Sequence, residues 1–410
     1  MGPMKIYDFD TPINRKNTQC IKWDQSFEST VDTQYPLWVA DMDFACCDAI
    51  VEALKKRVEQ QIYGYNTGFD AQYRQVVCDW FARRFDWKIN PSDIFYAGGV
   101  VPAIAYLIEI LSVEGDGIVI QTPVYYPFRK KIEATKRKVV ENPLQNENGY
   151  YTMNFEELDH LLGRDDVKGM ILCSPHNPVG RVWKQEELSM VLKLIKKHQK
   201  WIISDEIHGD LIRHHHRQLP LAKLGADMCD QIITCTAPSK SFNLAGLQNS
   251  NIIISNKEYQ QRWKKYVLQR LSLSGPNSFA LSATMAAYTQ GEEWLNQLNA
   301  YLDTTIVEVT SYLKKQLPKA IVSPCEGTYL LWVDVRGYCK DQERLEKAML
   351  QAGLILDEGY LFGIAGSGFE RINVACPRAF LMEAMERFVA VVKSLDIDSN
   401  KRNRYDYGVC

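Results

Sequence analysis

Six short segments of this chain carry residue types able to do chemistry together. Lys240 sits in Ala237-Pro238-Ser239-Lys240-Ser241-Phe242-Asn243, just after the apolar run Ile232-Ile233-Thr234-Cys235. A lysine at a strand end, among small and hydroxyl-bearing neighbours, can approach a carbonyl. Partial desolvation lowers its pKa and leaves a free amine as nucleophile and base. The second segment, Ser204-Asp205-Glu206-Ile207-His208, follows Trp201-Ile202-Ile203. Two acids at a strand end suit a metal site, the partner of a protonated ring nitrogen, or a solvated turn. Asp205 is placed for the ring nitrogen; His208 either orients the oxygen side of such a ring or packs as a core histidine. In the third, Ser174-Pro175-His176-Asn177-Pro178, the bracketing prolines restrict the backbone. They hold the Asn177 amide ready for a ring oxygen or a substrate carboxylate.

Three further segments supply the remaining contacts. Tyr96-Ala97-Gly98-Gly99-Val100-Val101 opens an apolar helix, and free N–H groups at a glycine-led helix start suit a phosphate. Thr122-Pro123-Val124-Tyr125-Tyr126 offers an aromatic face to stack on a ring. Cys376-Pro377-Arg378 places a guanidinium where it would capture a carboxylate through two parallel hydrogen bonds. A site for pyridoxal 5′-phosphate (PLP) uses such parts, a Schiff-base lysine, an acid for the ring nitrogen, a phosphate cradle and a stacking ring, although each segment alone also has an ordinary structural reading.

The elements that must position these groups show in the hydrophobic pattern. Strands are expected at Gly117–Gln121, Gly169–Ser174, Trp201–Ile207, Gln231–Thr236 and Asn251–Ser255. They alternate with amphipathic stretches such as Lys184–His198, whose Leu188, Val191, Leu192 and Ile195 form one face. Such alternation implies an α/β fold with a mostly parallel sheet covered by helices on both faces, its ligands gathering beyond the carboxyl ends of the strands. After Gln290 the pattern changes. A long helix over Glu292–Leu317, a strand over Thr328–Val335, a helix over Gln342–Ala352, a strand over Gly368–Cys376 and a helix over Arg378–Lys393 describe a smaller α+β domain. The expected organisation is an N-terminal segment 1–48 packing with the small domain, a large cofactor-binding domain 49–290, the small domain 291–397, and a polar, irregular, mobile tail 398–410.

Composition bounds the rest. The 410 residues are 46% hydrophobic and 24% charged, with a net charge of −2, so neither nucleic acid nor another polyanion is an expected partner. No apolar run approaches the roughly 20 residues that span a bilayer. The start of the chain has no signal-peptide pattern. Eleven cysteines include no C-x-x-C pair, and several lie in apolar runs, which reads as buried free thiols in a reducing cytoplasm. No metal is expected; His214-His215-His216 reads as a surface loop, and the basic stretch 129–138 as a solvated helix face.

In order and spacing, these motifs resemble the fold-type I PLP enzymes, the aspartate aminotransferase superfamily, from about Trp38 to Arg378. Finer features resemble the MalY/PatB-type cystathionine β-lyases. These are Trp38-Val39-Ala40-Asp41-Met42-Asp43-Phe44, Tyr63-Gly64-Tyr65, Ser204-Asp205-Glu206-Ile207-His208-Gly209-Asp210-Leu211, the Lys240 segment, and Gly366-Ser367-Gly368-Phe369 leading through Arg371 and Asn373 to Ala375-Cys376-Pro377-Arg378. The resemblance implies a seven-stranded large-domain sheet. It makes Lys240 the Schiff-base lysine, Asp205 the partner of the ring nitrogen, Asn177 the partner of the 3′-oxygen and Tyr125 the stacking ring. Gly99, Val100, Val101 and Ser239 would hold phosphate, His208 would face the ring, and Arg378 with the Ala40 backbone would receive the substrate carboxylate. Tyr63 would reach the phosphate of a second subunit in a homodimer. Gln248 stands where many aminotransferases of the superfamily place an arginine against the phosphate. The implied reaction is α,β-elimination of L-cysteine S-conjugates to a thiol, pyruvate and ammonia. Amino transfer is the main alternative, and a PLP-binding regulatory protein with residual lyase activity is a third.

Overall fold

The computed structural model describes residues 5–25 and 31–405, with side chains through residue 396. Seven strands build the large sheet: β1 (Ile94–Ala97), β2 (Gly117–Ile120), β3 (Lys138–Glu141), β4 (Val167–Cys173), β5 (Trp201–Asp205), β6 (Ile232–Thr236) and β7 (Ser250–Ile254). Their order is β1-β7-β6-β5-β4-β2-β3, and only β7 runs antiparallel to its neighbours. This is the expected α/β architecture. The pattern had not marked β1 and β3, the two edge strands. Strand β3 is half exposed, so it lacks the unbroken apolar run that marks β2, and β1 runs straight into the glycines before the next helix.

Side-chain alternation along the central strands divides the core in two. Met170, Leu172, Ile202 and Ile232 pack on one face, and Ile171, Cys173, Ile203, Ile233 and Cys235 on the other. Gly169 lies where β4 passes the ring of Trp201, and a Cβ there would overlap the indole. Strand β5 ends at Asp205 rather than at Ile207, because the Asp205 carboxylate accepts the Ile207 N–H at 3.1 Å and turns the chain. That turn aims the next residues over the sheet edge.

The small domain holds a four-stranded antiparallel sheet of β8 (Ile321–Val322), β9 (Leu330–Asp334), β10 (Asp357–Glu358) and β11 (Phe369–Asn373), in the order β8-β9-β11-β10. The chain near the N-terminus joins it: Tyr35–Pro36 pairs in parallel with Leu354–Ile355, and the Asn373 N–H donates to the Leu37 carbonyl at 2.9 Å. The last helix runs from Arg378 to Tyr405, well past the expected end at Lys393. No glycine or proline interrupts the chain before Gly408, and lysines and arginines continue a helix readily. The segment expected to be an irregular tail is therefore helical through Tyr405, and 406–410 lie outside the described residues. The basic stretch 129–138 is not one helix face: the helix ends at Ala134, Lys138 opens β3, and Arg137 is buried with its guanidinium donating to the Ser112 carbonyl at 2.7 Å.

Candidate active site

The carboxyl ends of β2, β4, β5 and β6 open into one cleft, as a doubly wound sheet requires. Gly98, Gly99, Val100, Val101, Tyr125, Cys173, Asn177, Asp205, His208, Ser239 and Lys240 line it, with Ala40 closing it from the N-terminal segment. Gly99 caps the helix Val100–Leu111 with φ of 145°, a conformation side-chain-bearing residues rarely adopt. The first N–H groups of that helix have no intrahelical acceptor and are suited to an anion. Ser239 and Lys240 sit on the short turn Pro238–Ser241 that follows β6.

The two acids after β5 part company. Glu206 turns into the core, where it accepts from Ser204 Oγ at 2.8 Å and the Leu221 N–H at 2.9 Å. Asp205 faces the cleft, and burial pushes its pKa up to about 7, against the opposing pull of the Ile207 N–H and Lys240. The Lys240 amine is lowered to about 8, first by desolvation and then by Arg371, with Asp41 and Asp205 acting the other way. Its Nζ donates to the Ala40 carbonyl at 2.6 Å. The His208 ring is buried edge-on to Tyr329, and burial holds its pKa well below the usual value. The turn bearing Asn177 is tied to the Tyr125 loop twice: the Tyr125 N–H donates to the Asn177 carbonyl at 3.0 Å, and His176 Nε2 meets the Pro123 carbonyl at 2.8 Å.

Two expected residues are not in this cluster. Arg378 is the first residue of the last helix; the strand expected to deliver it stops at Asn373. Its guanidinium lies over the Tyr301 ring, 3.3 Å from Thr305 Oγ1 and 3.6 Å from Glu308, on the long helix Glu292–Gln316. The cation at the cleft is instead Arg371 of β11. Its Nη1 donates to Asn177 Oδ1 at 3.2 Å, its Nη2 to the Trp38 carbonyl at 2.7 Å and to Asp357, and Phe362 covers its face. Tyr63 lies outside its own chain's cleft, 56% exposed, with its ring against Phe279. The His214–His216 run is exposed.

Sequence reasoning also passed over Tyr329 and Asp357. The signal for Arg371 was present: in Phe369-Glu370-Arg371-Ile372-Asn373, Arg371 and Asn373 alternate onto the same face of the strand. Tyr329 carries no such signal, since its hydroxyl matters only through a carbonyl 289 residues away.

The cleft fits PLP on its own terms. His208 Nδ1 is buried with no hydrogen-bond partner, and Asp205 lies too deep to be ionised comfortably without a cation beside it. A pyridinium N–H would supply that cation, and the glycine-led helix start would seat a phosphate.

Comparison with known proteins agrees. Residues 33–388 match the family model described as aminotransferase class I and II. The chain is 39% identical over 387 residues to the cystathionine beta-lyase PatB of Bacillus subtilis, covering 94% of this chain and 100% of that one. It is 30% identical over 393 residues to the protein MalY of Escherichia coli, covering 95% and 100%. The crystal structure of cystalysin from Treponema denticola, which contains a pyridoxal 5′-phosphate cofactor, matches with a TM-score of 0.91 at 37% identity, over 95% of this chain and 100% of that one. This chain is a PLP-dependent enzyme of the aminotransferase class I and II family and belongs to its PatB/MalY/cystalysin C–S lyase branch.

Proposed function

We propose that the enzyme catalyses α,β-elimination of L-cysteine S-conjugates of the cystathionine type, releasing a thiol, pyruvate and ammonia. The observation that carries this reading is the placement of Lys240: a desolvated amine lowered to about 8, beside Arg371 and Asp205 in one cleft. The name of PatB, a cystathionine beta-lyase, supports the substrate class. PLP, when bound, supplies an electron sink for the charge that develops at the substrate Cα. Asp205 would pair, ionised, with the ring nitrogen, Asn177 would bond the ring oxygen, and Tyr125 would stack on the ring. Gly99, Val100, Val101 and Ser239 would hold the phosphate, with His208 on the oxygen side of the ring.

Arg371, steadied by Asp357 and Asn177, takes the substrate carboxylate in the role first expected of Arg378. Any share that Ala40 has in binding that carboxylate falls to its N–H, because its carbonyl is an acceptor. Lys240 removes the Cα proton; the Cβ–S bond breaks with its electron pair on sulfur, and the proton held by Lys240 is available to the departing thiolate. The remaining three-carbon fragment hydrolyses to pyruvate and ammonia.

In this reading the enzyme works as a homodimer, with Tyr63 reaching the phosphate of the second copy. The free thiols of the described cysteines suit a reducing cytoplasm. Purified holoenzyme offered L-cystathionine, L-cystine and alkyl or aryl cysteine conjugates, with no keto acid present, should release pyruvate in step with thiol. A strict requirement for a keto acid would overturn the elimination reading and favour amino transfer.

A further inference from the structure

The segment Trp38–Asp43 has no regular structure, yet it is tied down at every residue that borders the cleft. Arg371 holds the Trp38 carbonyl at 2.7 Å, and Asn373 Nδ2 donates to the Val39 and Asp41 carbonyls at 2.6 and 2.7 Å. Asn243, three residues after Lys240, clamps Met42 through its N–H at 2.9 Å and its carbonyl at 2.8 Å. Beneath lies a buried ion network. Arg15 forks onto Asp41 at 2.7 and 2.9 Å and reaches Asp43 at 2.6 Å, while Lys22 meets Asp43 at 2.7 Å and Asp41 at 3.5 Å.

All of this immobilises one acceptor. The Ala40 carbonyl receives the Lys240 amine at 2.6 Å and the Tyr329 hydroxyl at 2.9 Å, which engages both of its lone pairs. Tyr329 is fully buried, and burial with Asp41 nearby drives its pKa far up, so the hydroxyl stays a donor. The two donors converge on a carbonyl that cannot move, whereas Lys240 ends a flexible four-carbon stem.

We propose that the Ala40 carbonyl is the dock for the Lys240 amine whenever that amine is not bonded to the cofactor, and that Tyr329 and Asp41 are positioning residues that fix where the amine waits. This rests on reading Lys240 as the lysine that carries PLP. With the substrate amine in place of the lysine, an undocked Lys240 side chain would spread over many rotamers away from Cα. A fixed acceptor keeps it beside the proton it must take. The charged and titratable groups facing Lys240 are Arg371, Asp41, Asp205, His208 and, on the shared carbonyl, Tyr329; those facing Asp41 are Arg15, Lys22, Tyr329 and Lys240 itself.

The test uses holoenzyme carrying Tyr329→Phe, Asp41→Asn or Asp43→Asn. The readout is exchange of the Cα proton of L-alanine into deuterated water across pH, a step that needs the base but no leaving group. Asp41→Asn removes a carboxylate that stabilises the Lys240 ammonium. The acid limb of exchange should therefore move to lower pH by about half a unit or more. Asp43→Asn breaks the same network without facing Lys240 and should leave that limb in place. Tyr329→Phe should slow exchange about tenfold with the KM for L-alanine within about twofold. An acid limb unmoved in Asp41→Asn, or wild-type exchange in Tyr329→Phe, would overturn the dock; if Asp41→Asn fails to fold, Tyr329→Phe decides alone. Two parallel measurements on wild type keep the readings apart. Failure to release pyruvate from L-cystathionine and other S-conjugates would refute only the elimination reaction. Borohydride trapping of the cofactor anywhere but Lys240 would refute the lysine assignment.

Discussion

The exchange of roles between two arginines gives the sharpest test of the substrate site. Arg371 is buried, stacked under Phe362 and bonded to Asn177 and Trp38, whereas Arg378 leans on Tyr301 outside the cleft. Replacing Arg371 with alanine would confuse the result, because Asp357 would be left buried without its partner, at a cost of about 3–5 kcal/mol in stability. Arg371→Lys keeps a cation beside Asp357 and removes only the planar fork. Losing two charge-assisted hydrogen bonds to the substrate carboxylate, at about 1.5 kcal/mol each, amounts to about 3 kcal/mol. At about 1.4 kcal/mol per factor of ten, that is a loss of roughly 10²-fold in kcat/KM. Most of it should appear in KM, since the carboxylate is held alike in ground and transition states. Arg378→Ala should leave kcat/KM within about twofold. The assay is initial-rate pyruvate release from a saturating series of one S-conjugate, with thermal melts to confirm folding. A large KM effect from Arg378→Ala beside a near-silent Arg371→Lys would refute the assignment.

Three more outcomes are expected. Lys240→Ala should lower pyruvate release by roughly 10²–10⁴-fold, as for loss of a positioned base, and borohydride should no longer fix the cofactor to the chain. In cofactor-free protein Asp205 is raised to about 7, so its contribution to stability is present below the ordinary carboxylate pKa of about 4 and is lost as pH rises through about 7. Lys240, lowered to about 8, works in the opposite sense: its contribution is present above about 10.5 and is lost as pH falls through about 8. Urea unfolding of the cofactor-free Asp205→Asn variant should decline less steeply than wild type between about pH 4 and 7, the remaining fall coming from Glu206 and Glu358, which burial also raises to about 7; a fall identical to wild type would contradict this. Finally, Tyr63→Phe and Lys240→Ala subunits, each impaired alone, should regain activity when co-expressed, because one site of the mixed dimer is intact. Absence of rescue would remove Tyr63 from the neighbouring site.

The large sheet was readable because its central strands are short apolar runs separated by amphipathic helices, and because motif after motif falls just beyond a strand. Asp205, Asn177 and Lys240 came from that logic, and the structure places all three in one cleft. Arg378 was misplaced because a strand end was inferred from Cys376-Pro377, whereas pairing stops at Asn373. Tyr329, Asp41 and Asp357 were not legible in their functional setting. Each acts through a contact made across tertiary distance: Tyr329 with Ala40, Asp41 with Arg15 and Lys22, Asp357 with Arg371. Local periodicity reports which face a residue occupies, but not which distant segment lands on that face.

The cleft divides its labour along the chain. Apart from Ala40, every residue lining it falls between Gly98 and Asn249, one continuous stretch that builds the large sheet. Arg371, Asp357 and Tyr329 come from the far end of the chain, and Ala40 and Asp41 from the near end. A nascent chain can therefore build its own share of the cofactor's seat before the substrate's seat exists, and only the closing of both termini over the sheet turns a vitamin-binding platform into an enzyme.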